Sequence, residues 1–162
     1  MTRTKPDAVR LRRFRNSRPY RSCARLMRAY NRRLAEELRE RGFDDYSPAF
    51  PALLSNLDLA GSHIGTLAQK AGVTRQAAGQ LLKSIAQCGY VELLDSPRDT
   101  RATLVKFTPR GRKLLANVIE VLGDVDREMV AVLGEAEFQH FTEQAFRLAE
   151  RIDPGGALVG EE

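Results

Sequence analysis

The sequence of 162 residues contains no tryptophan, and aromatic residues make up only 7% of it. Glycine and proline are sparse, with 12 and 7 residues, whereas alanine, leucine and arginine are abundant, which favours helices. No apolar run approaches the roughly 18 residues that span a bilayer, so we expect no membrane association. Cys23 and Cys88 are the only cysteines. Two distant cysteines form no disulfide framework, so we expect reduced thiols and a cytoplasmic protein.

The charge of the chain is distributed unevenly. The formal net charge is +5, but residues 1–33 contain twelve basic residues and one acid, Asp7. Residues 60–113 are again basic, and the last third is acidic. Clustered cations that approach phosphates release counterions and so bind nucleic acid, although a basic tail can also be merely solvated. The charge therefore favours a nucleic-acid partner, with residues 1–18 as a disordered basic arm.

Apolar residues three or four positions apart predict a mainly helical chain. Ser47-Pro48 can open the second helix, with Pro51 in its first turn or just before it. Gly123 is a weak point in the longest helix, which has about 25 residues. The expected helices run from near Arg21 to Arg41, from Ser47 to a break at Gly61-Ser62, from His63 to Ala71, from Thr74 to Cys88, from Thr108-Pro109 to Leu133, and from Glu135 to Ile152.

Two runs in the middle of the chain are typical of β-strands. They are residues 90–94 and 102–107, and the polar, basic segment 95–101 lies between them. The sequence offers no other strand to pair with them. Because a lone hairpin is marginally stable in water, it must pack on helices. Two short helices joined by a turn and followed by such a hairpin describe a winged helix.

The turn between the two short helices predicts a helix–turn–helix. Gly72 lies four residues after Ala68, where a tight turn requires a positive φ. Ala68 is small enough for the two helices to cross closely, and Val73, Ala78 and Leu81 are expected to supply the inner face of the second helix. An ordinary helical hairpin would show a similar pattern, so the hairpin that follows carries much of the argument.

The order of these motifs resembles the MarR family of winged helix–turn–helix regulators. The resemblance extends over roughly Arg21 to Ile152 and is most specific between Ala49 and Leu115. It implies a mainly α (α+β) fold, a homodimer on a palindromic operator, and release of DNA by a small ligand or an oxidant. The matching residues are Leu67-Ala68, Gly72-Val73-Thr74, Gly89-Tyr90-Val91, Asp99-Thr100-Arg101 and Phe107-Thr108-Pro109-Arg110-Gly111.

The predicted recognition helix, residues 74–88, carries side chains suited to DNA. Thr74 is the expected N-cap, and a helix N-terminus suits a phosphate. Arg75, Gln76 and Gln80 are placed opposite the apolar side, where arginine can read guanine and glutamine can read adenine in the major groove. Lys83, one turn later, is expected to meet phosphate. Any of these side chains could instead be a solvated surface residue.

The wing is expected to reach the minor groove or the phosphates through Arg98 and Arg101. The resemblance implies that Asp99 orients Arg101 towards DNA, so Arg101→Ala should weaken binding more than Arg98→Ala. Two positions depart from the family pattern. Gly79 lies in the middle of the recognition helix, and Glu92 stands where a basic residue is usual near the start of the wing.

The sequence predicts five segments along the chain. We expect the first and the last two helices to form a dimerisation domain, although they could also pack within one chain. A small-molecule pocket is expected near Tyr30, Tyr46 and Phe50. The segments are a basic arm (1–18), an N-terminal dimerisation helix (19–45), the winged helix–turn–helix (46–112), C-terminal dimerisation helices (113–152) and a flexible tail (153–162).

Three functional readings follow from the sequence. The first is a sequence-specific transcriptional regulator, expected to be a nucleoid-associated repressor. The second is an architectural DNA-binding protein that uses the Arg-rich arm. The third is a redox-sensing regulator, because Arg21, Arg25 and a helix N-terminus can lower the pKa of the Cys23 thiol, although Cys23 also suits a packed position. An enzyme is not expected: His63 and His140 lack metal-ligand spacing, no nucleophile or phosphate-loop motif is present, and no cofactor is implied.

Overall fold

A computed structural model describes residues 19–95 and 103–152, and the predicted arm and tail lie outside this range. Apart from the second helix, the helix boundaries agree closely with the periodicity, and the longest helix continues unbroken through Gly123. The elements are α1 (Pro19–Glu40), α2 (Pro51–Leu54), β1 (Ser62–His63), α3 (Ile64–Lys70), α4 (Arg75–Gln87), β2 (Val91–Asp95), β3 (Thr103–Phe107), α5 (Pro109–Leu133) and α6 (Glu135–Ile152).

Helix α1 packs antiparallel against the long helix α5. Leu34 and Leu38 are buried on its inner face. The Tyr30 hydroxyl donates a hydrogen bond to Asp126 at 2.8 Å, and Arg41 forms an ion pair with Glu120 at 2.8 Å. The end of α1 therefore lies near the middle of α5, and the start of α1 extends towards the far end of α5.

The helix–turn–helix is formed by α3 and α4. Gly72 adopts a φ of 64°, as the sequence predicts for the turn. Leu67, Ala68 and Ala78 are buried between the helices. The expectation for Val73 is wrong: it precedes α4 and is 42% exposed, because the turn directs it away from the core.

The sheet has three strands, which corrects the expectation of a lone hairpin. Strands β2 and β3 pair antiparallel with Val91 opposite Phe107 and Asp95 opposite Thr103. The short strand β1 adds to the other edge of β3, with Ser62 opposite Val105. A strand of two residues is too short to show alternation, so the sequence pattern could not reveal it.

The second helix is shorter than the sequence predicts. It begins at Pro51 and has one turn, whereas Ser47 accepts a hydrogen bond from the Ala49 amide in a preceding turn. Phe50, Leu53 and Leu57 are nevertheless buried, as expected for the apolar side of this segment. Proline at the first helical position explains the late start, since its missing amide costs nothing there.

The core of the winged helix is centred on Tyr90, whose side chain is fully buried. Phe43 and Phe50 lie near it, with ring centroids 6.2 and 6.1 Å from the tyrosine ring. A Cβ at Gly111 would collide with the Tyr90 carbonyl oxygen. The start of α5 can approach the wing this closely only because residue 111 has no side chain.

Candidate nucleic-acid interface

The polar row on α4 is the most prominent feature of the candidate interface. Arg75, Gln76, Gln80 and Lys83 are all exposed, and Ala78, Leu82 and Ile85 on the opposite side are buried. None of the four polar side chains is in an ion pair or hydrogen bond with another residue that the structure describes. The helix is thus fixed by its apolar side and presents a continuous row of donors and acceptors outward.

Thr74 caps the N-terminus of α4. Its side-chain oxygen accepts a hydrogen bond from the Ala77 amide at 3.2 Å. This leaves the hydroxyl proton free to donate to an incoming anion. The other free amides of the first turn add to the positive end of the helix dipole, so the cap is suited to a phosphate.

Gly79 lies in the middle of the exposed row. A side chain built at this position would meet nothing within 4 Å. Packing within the chain therefore does not require glycine here, and glycine costs an exposed helix about 1 kcal/mol relative to alanine. Because residue 79 has no side chain, the exposed surface of α4 is recessed here, between the side chains of Arg75 and Lys83.

The tip of the wing, including Arg98, Asp99 and Arg101, lies outside the described residues. The strands that carry it are well defined up to the last pair, Asp95 and Thr103. Glu92, which departs from the family pattern, is opposite Lys106 in the register. This pairing of opposite charges across the strands gives Glu92 a structural reason to be in the wing.

A polar junction that the sequence patterns did not reveal joins the loop after α1, the base of the wing and the start of α5. The Asp45 carboxylate accepts hydrogen bonds from the Tyr90 hydroxyl and from Arg110, whose Nη2 lies 2.9 and 3.1 Å from its two oxygens. Arg110 also lies over the Tyr90 ring, 5.0 Å from its centroid. Burial and the neighbouring carboxylate raise the pKa of Tyr90, so the hydroxyl stays a donor. Tyr90 and Arg110 lie within the motifs that carry the resemblance, whereas Asp45 does not.

The two cysteines lie in different environments. Cys88 is half-buried, and its thiol lies 3.6 Å from the Asp45 carbonyl oxygen. Burial and Asp45 raise the pKa of this thiol, which disfavours the reactive thiolate. Cys23, for which packing on the apolar face of α1 was the alternative, is exposed. Redox sensing through Cys23 stays a prediction.

A cavity of about 330 Å³ lies between α2, β3 and α5. Tyr46 lines it together with Leu54, Phe107, Leu115 and Leu122. The Tyr46 hydroxyl is buried without a hydrogen-bond partner among the described residues, and burial raises its pKa to about 12. Tyr30 and Phe50 are not part of the lining, which corrects the expected composition of the pocket.

The C-terminal helices leave an apolar surface uncovered. Helix α6 has no buried residue, although apolar side chains recur along one side of it. We call this surface the C-terminal apolar face: Val132 (83% exposed), Phe141 (42%), Leu148 (61%) and Ile152 (81%). The expected alternative, in which α6 is covered within its own chain, does not apply to the described residues.

Neither a metal site nor a membrane-spanning helix is found within residues 19–95 and 103–152. No three His, Cys, Asp or Glu side chains come together in this part of the chain in a way that could hold a metal ion. None of its helices combines the length and apolar character that crossing a bilayer requires.

Comparison with known proteins gives a family-model match over part of the chain and one curated relative. The model of the MarR family matches residues 48–102. The transcriptional activator of exopolysaccharide II synthesis, ExpG from Rhizobium meliloti (strain 1021), is 26% identical over 114 residues. That match covers 68% of this chain and 59% of ExpG, so the chain spans less than two thirds of this relative's length.

Solved structures share the architecture. The MarR protein from Peptoclostridium difficile DA00132 superposes with a TM-score of 0.70 at 16% identity, over 85% of this chain and 88% of that one. Wild-type E. coli MarR in its apo form gives a TM-score of 0.64 at 24% identity, over 82% and 97%. The chain therefore has the winged-helix fold of these proteins, and the match to the MarR family model falls on the part of the chain that carries the helix–turn–helix.

Proposed function

We propose that this protein is a homodimeric transcriptional regulator that reads a two-fold symmetric DNA operator with α4. The observation that carries the proposal is the free polar row of α4, held rigidly by a buried opposite side. Arg75, Gln76 and Gln80 would contact base edges in the major groove, and Thr74 and Lys83 would contact phosphates. From the sequence alone, Arg98 and Arg101 of the wing are assigned to phosphates or the minor groove, and Asp99 to orienting Arg101.

The C-terminal apolar face supports the dimer. Exposed apolar surface of this kind on a helix pair is typical of an interface that a partner covers. A two-fold dimer would place its recognition helices about 34 Å apart, which is one turn of DNA. Leu148→Glu should therefore shift sedimentation towards the monomer. Gln139→Glu introduces the same charge on another side of α6 and should leave the dimer intact.

The operator can be identified by selection from a random duplex library at near-physiological salt. A symmetric motif with half-sites about one helical turn apart is the expected result. Arg75→Ala should weaken binding and relax the preference at one position of each half-site. Arg147→Ala removes the same charge from α6 and serves as the control. Recovery of DNA without a motif would contradict sequence-specific reading and favour an architectural role.

The cavity beside Tyr46 supports release of DNA by a small effector. Its lining is largely apolar, and of its two side-chain hydroxyls Ser55 is engaged by the Pro51 carbonyl while Tyr46 has no partner among the described residues, so it suits a compact, largely apolar molecule with one hydrogen-bonding group. In thermal-shift titrations, p-cresol should stabilise the protein more than toluene does, and Tyr46→Phe should remove the difference. Equal shifts with both compounds would contradict the assignment.

The sign of regulation depends on where the operator lies relative to the promoter. The repressor role expected from the sequence stays a prediction, and ExpG is an activator. Footprinting at the selected operator, together with transcription from the adjacent promoter, would give the sign.

A further inference from the structure

Five arginines form a single face of α1 that points away from α5. At about 100° per residue, their positions fall within about 60° of arc, opposite the buried Leu34 and Leu38. All five side chains are exposed. We call them the arginine face: Arg21, Arg25, Arg28, Arg32 and Arg39.

The arginine face has little counter-charge among the described residues. None of its members forms an ion pair there, whereas Arg33 and Arg41, on the inner side, pair with acids of α5. A groove of about 870 Å³ runs between this face and Pro48, and Glu36 is the single acid among the described residues that line it. Like charges one turn apart destabilise a helix, so stability of the fold does not explain the pattern.

A second copy of the chain offers little to neutralise this face. The acids of α5 are already engaged: Glu120 and Asp124 by Arg41, Asp126 by Tyr30, and Glu128 by Arg33. Helix α6 has four acids and two arginines, so its side chains carry a net charge of only −2. The strongest complement to the arginine face is therefore an anion from outside the protein.

The shape of the face favours a linear polyanion. From Arg21 to Arg39 it extends about 27 Å, the length of about eight base pairs. In sequence, the basic run continues into residues 1–18, which contain seven more Lys and Arg and one acid. A compact anion would use two or three guanidinium groups and leave the others unpaired.

The face leads away from the winged helix. Arg41 lies beside Asn117 and Glu120, and Tyr30 lies beside Asp126, further from the base of the wing. Arg21 is nine residues beyond Tyr30 in the same direction, which adds about 13 Å. We therefore expect a straight duplex held by α4 to leave at least the Arg21 end of the arginine face free.

We propose that the arginine face binds the phosphate backbone of DNA outside the operator half-sites, so that one protein holds operator and non-operator DNA together. The proposal rests on the proposed function, because α4 supplies the operator contact. The DNA at the arginine face would be either operator-flanking sequence that bends back or a second duplex. Both present the same phosphate chemistry.

The test compares wild type with Arg25→Gln/Arg28→Gln/Arg32→Gln, and with Arg147→Gln/Arg151→Gln as a charge control on α6. Operator duplexes of 20 and 60 base pairs are immobilised, and capture of a labelled non-operator duplex is measured. Wild type and the control should capture this duplex, and the triple variant should capture at least tenfold less of it. Its affinity for the 20-base-pair operator should stay within about twofold. The salt slope for total DNA binding should fall by about 2.7, because each lost phosphate contact removes about 0.9.

Each outcome separates this proposal from the proposed function. If the triple variant differs from wild type only in binding the 60-base-pair operator more weakly, that result assigns the face to flanking DNA and supports the proposal. If wild type binds the operator but captures no non-operator duplex, and binds the 20- and 60-base-pair operators equally well, the proposal is overturned and the proposed function stays intact. Dissociation of the triple variant into monomers would overturn it in favour of a protein contact. Failure of wild type to bind any operator would remove the proposed function itself.

Discussion

Arg110 places its guanidinium against both carboxylate oxygens of Asp45, at 2.9 and 3.1 Å, and so connects the loop after α1 to the start of α5. Tyr90 donates its hydroxyl to the same carboxylate from the base of the wing. Three segments far apart in sequence therefore meet at one side chain. Because α4 ends just before Tyr90, this junction fixes the recognition helix relative to α1 and α5.

Asp45→Ala should lower the free energy of unfolding by about 1–2 kcal/mol, since it leaves the Tyr90 hydroxyl without its acceptor. Tyr90→Phe removes that hydroxyl, so the double variant should be less destabilised than the sum of the two single variants. Urea denaturation measures all three. Glu128→Ala breaks an exposed ion pair and should cost less than about 0.5 kcal/mol. If the double variant loses as much free energy of unfolding as the two single variants together, the junction is contradicted.

Gly111→Ala should destabilise the fold by about 1–3 kcal/mol or more, because the added methyl group meets the backbone of Tyr90 and the ring of Phe107. Gly123→Ala is the matched variant on the same helix. Its methyl group would approach only the flexible Arg127 side chain, at 3.7 Å, so stability should rise by up to about 1 kcal/mol. In thermal denaturation, the melting temperature of Gly111→Ala should lie below that of wild type, and that of Gly123→Ala should lie above it.

Gly79→Ala should separate stability from DNA binding. The methyl group meets nothing within 4 Å, so the protein should gain up to about 1 kcal/mol in stability. In the proposed complex the same methyl group projects from the face of α4 that enters the groove. Operator affinity should therefore fall about tenfold, or about 1.4 kcal/mol. Unchanged affinity would show that α4 does not approach DNA at this residue.

The pH dependence of stability should report on Tyr30. Burial, followed by its hydrogen bond to Asp126 and the charge of Asp126, raises the pKa of Tyr30 from 10.0 to about 12. The stabilisation that the protonated hydroxyl provides is complete below the unfolded-state pKa and is lost as the pH rises towards the folded-state pKa. The stability difference between wild type and Tyr30→Phe should thus shrink from pH 10 to 12. Urea midpoints across this range measure it, and a constant difference would contradict the assignment.

The local patterns in the sequence were sufficient for most of the helices and for the helix–turn–helix. Helical periodicity is set by contacts three or four residues apart, and the turn at Gly72 follows from backbone sterics at one residue. Most of the exposed row of α4 could be predicted for the same reason, since helix geometry alone places Gln76 and Gln80 opposite Ala78.

Tertiary structure decided the features that depend on partners distant in sequence. The strand β1 exists because β3 offers it an edge, and Val73 is exposed because of the direction in which the turn leaves α3. Asp45 gains its role from Tyr90 and Arg110, which are 45 and 65 residues away. The sequence by itself determined most of the winged helix and of the exposed polar row on α4, because those arise from local spacing. The junction, the cavity at Tyr46 and the unpaired arginine face required the packed chain, because only packing decides which charges and hydroxyls find partners.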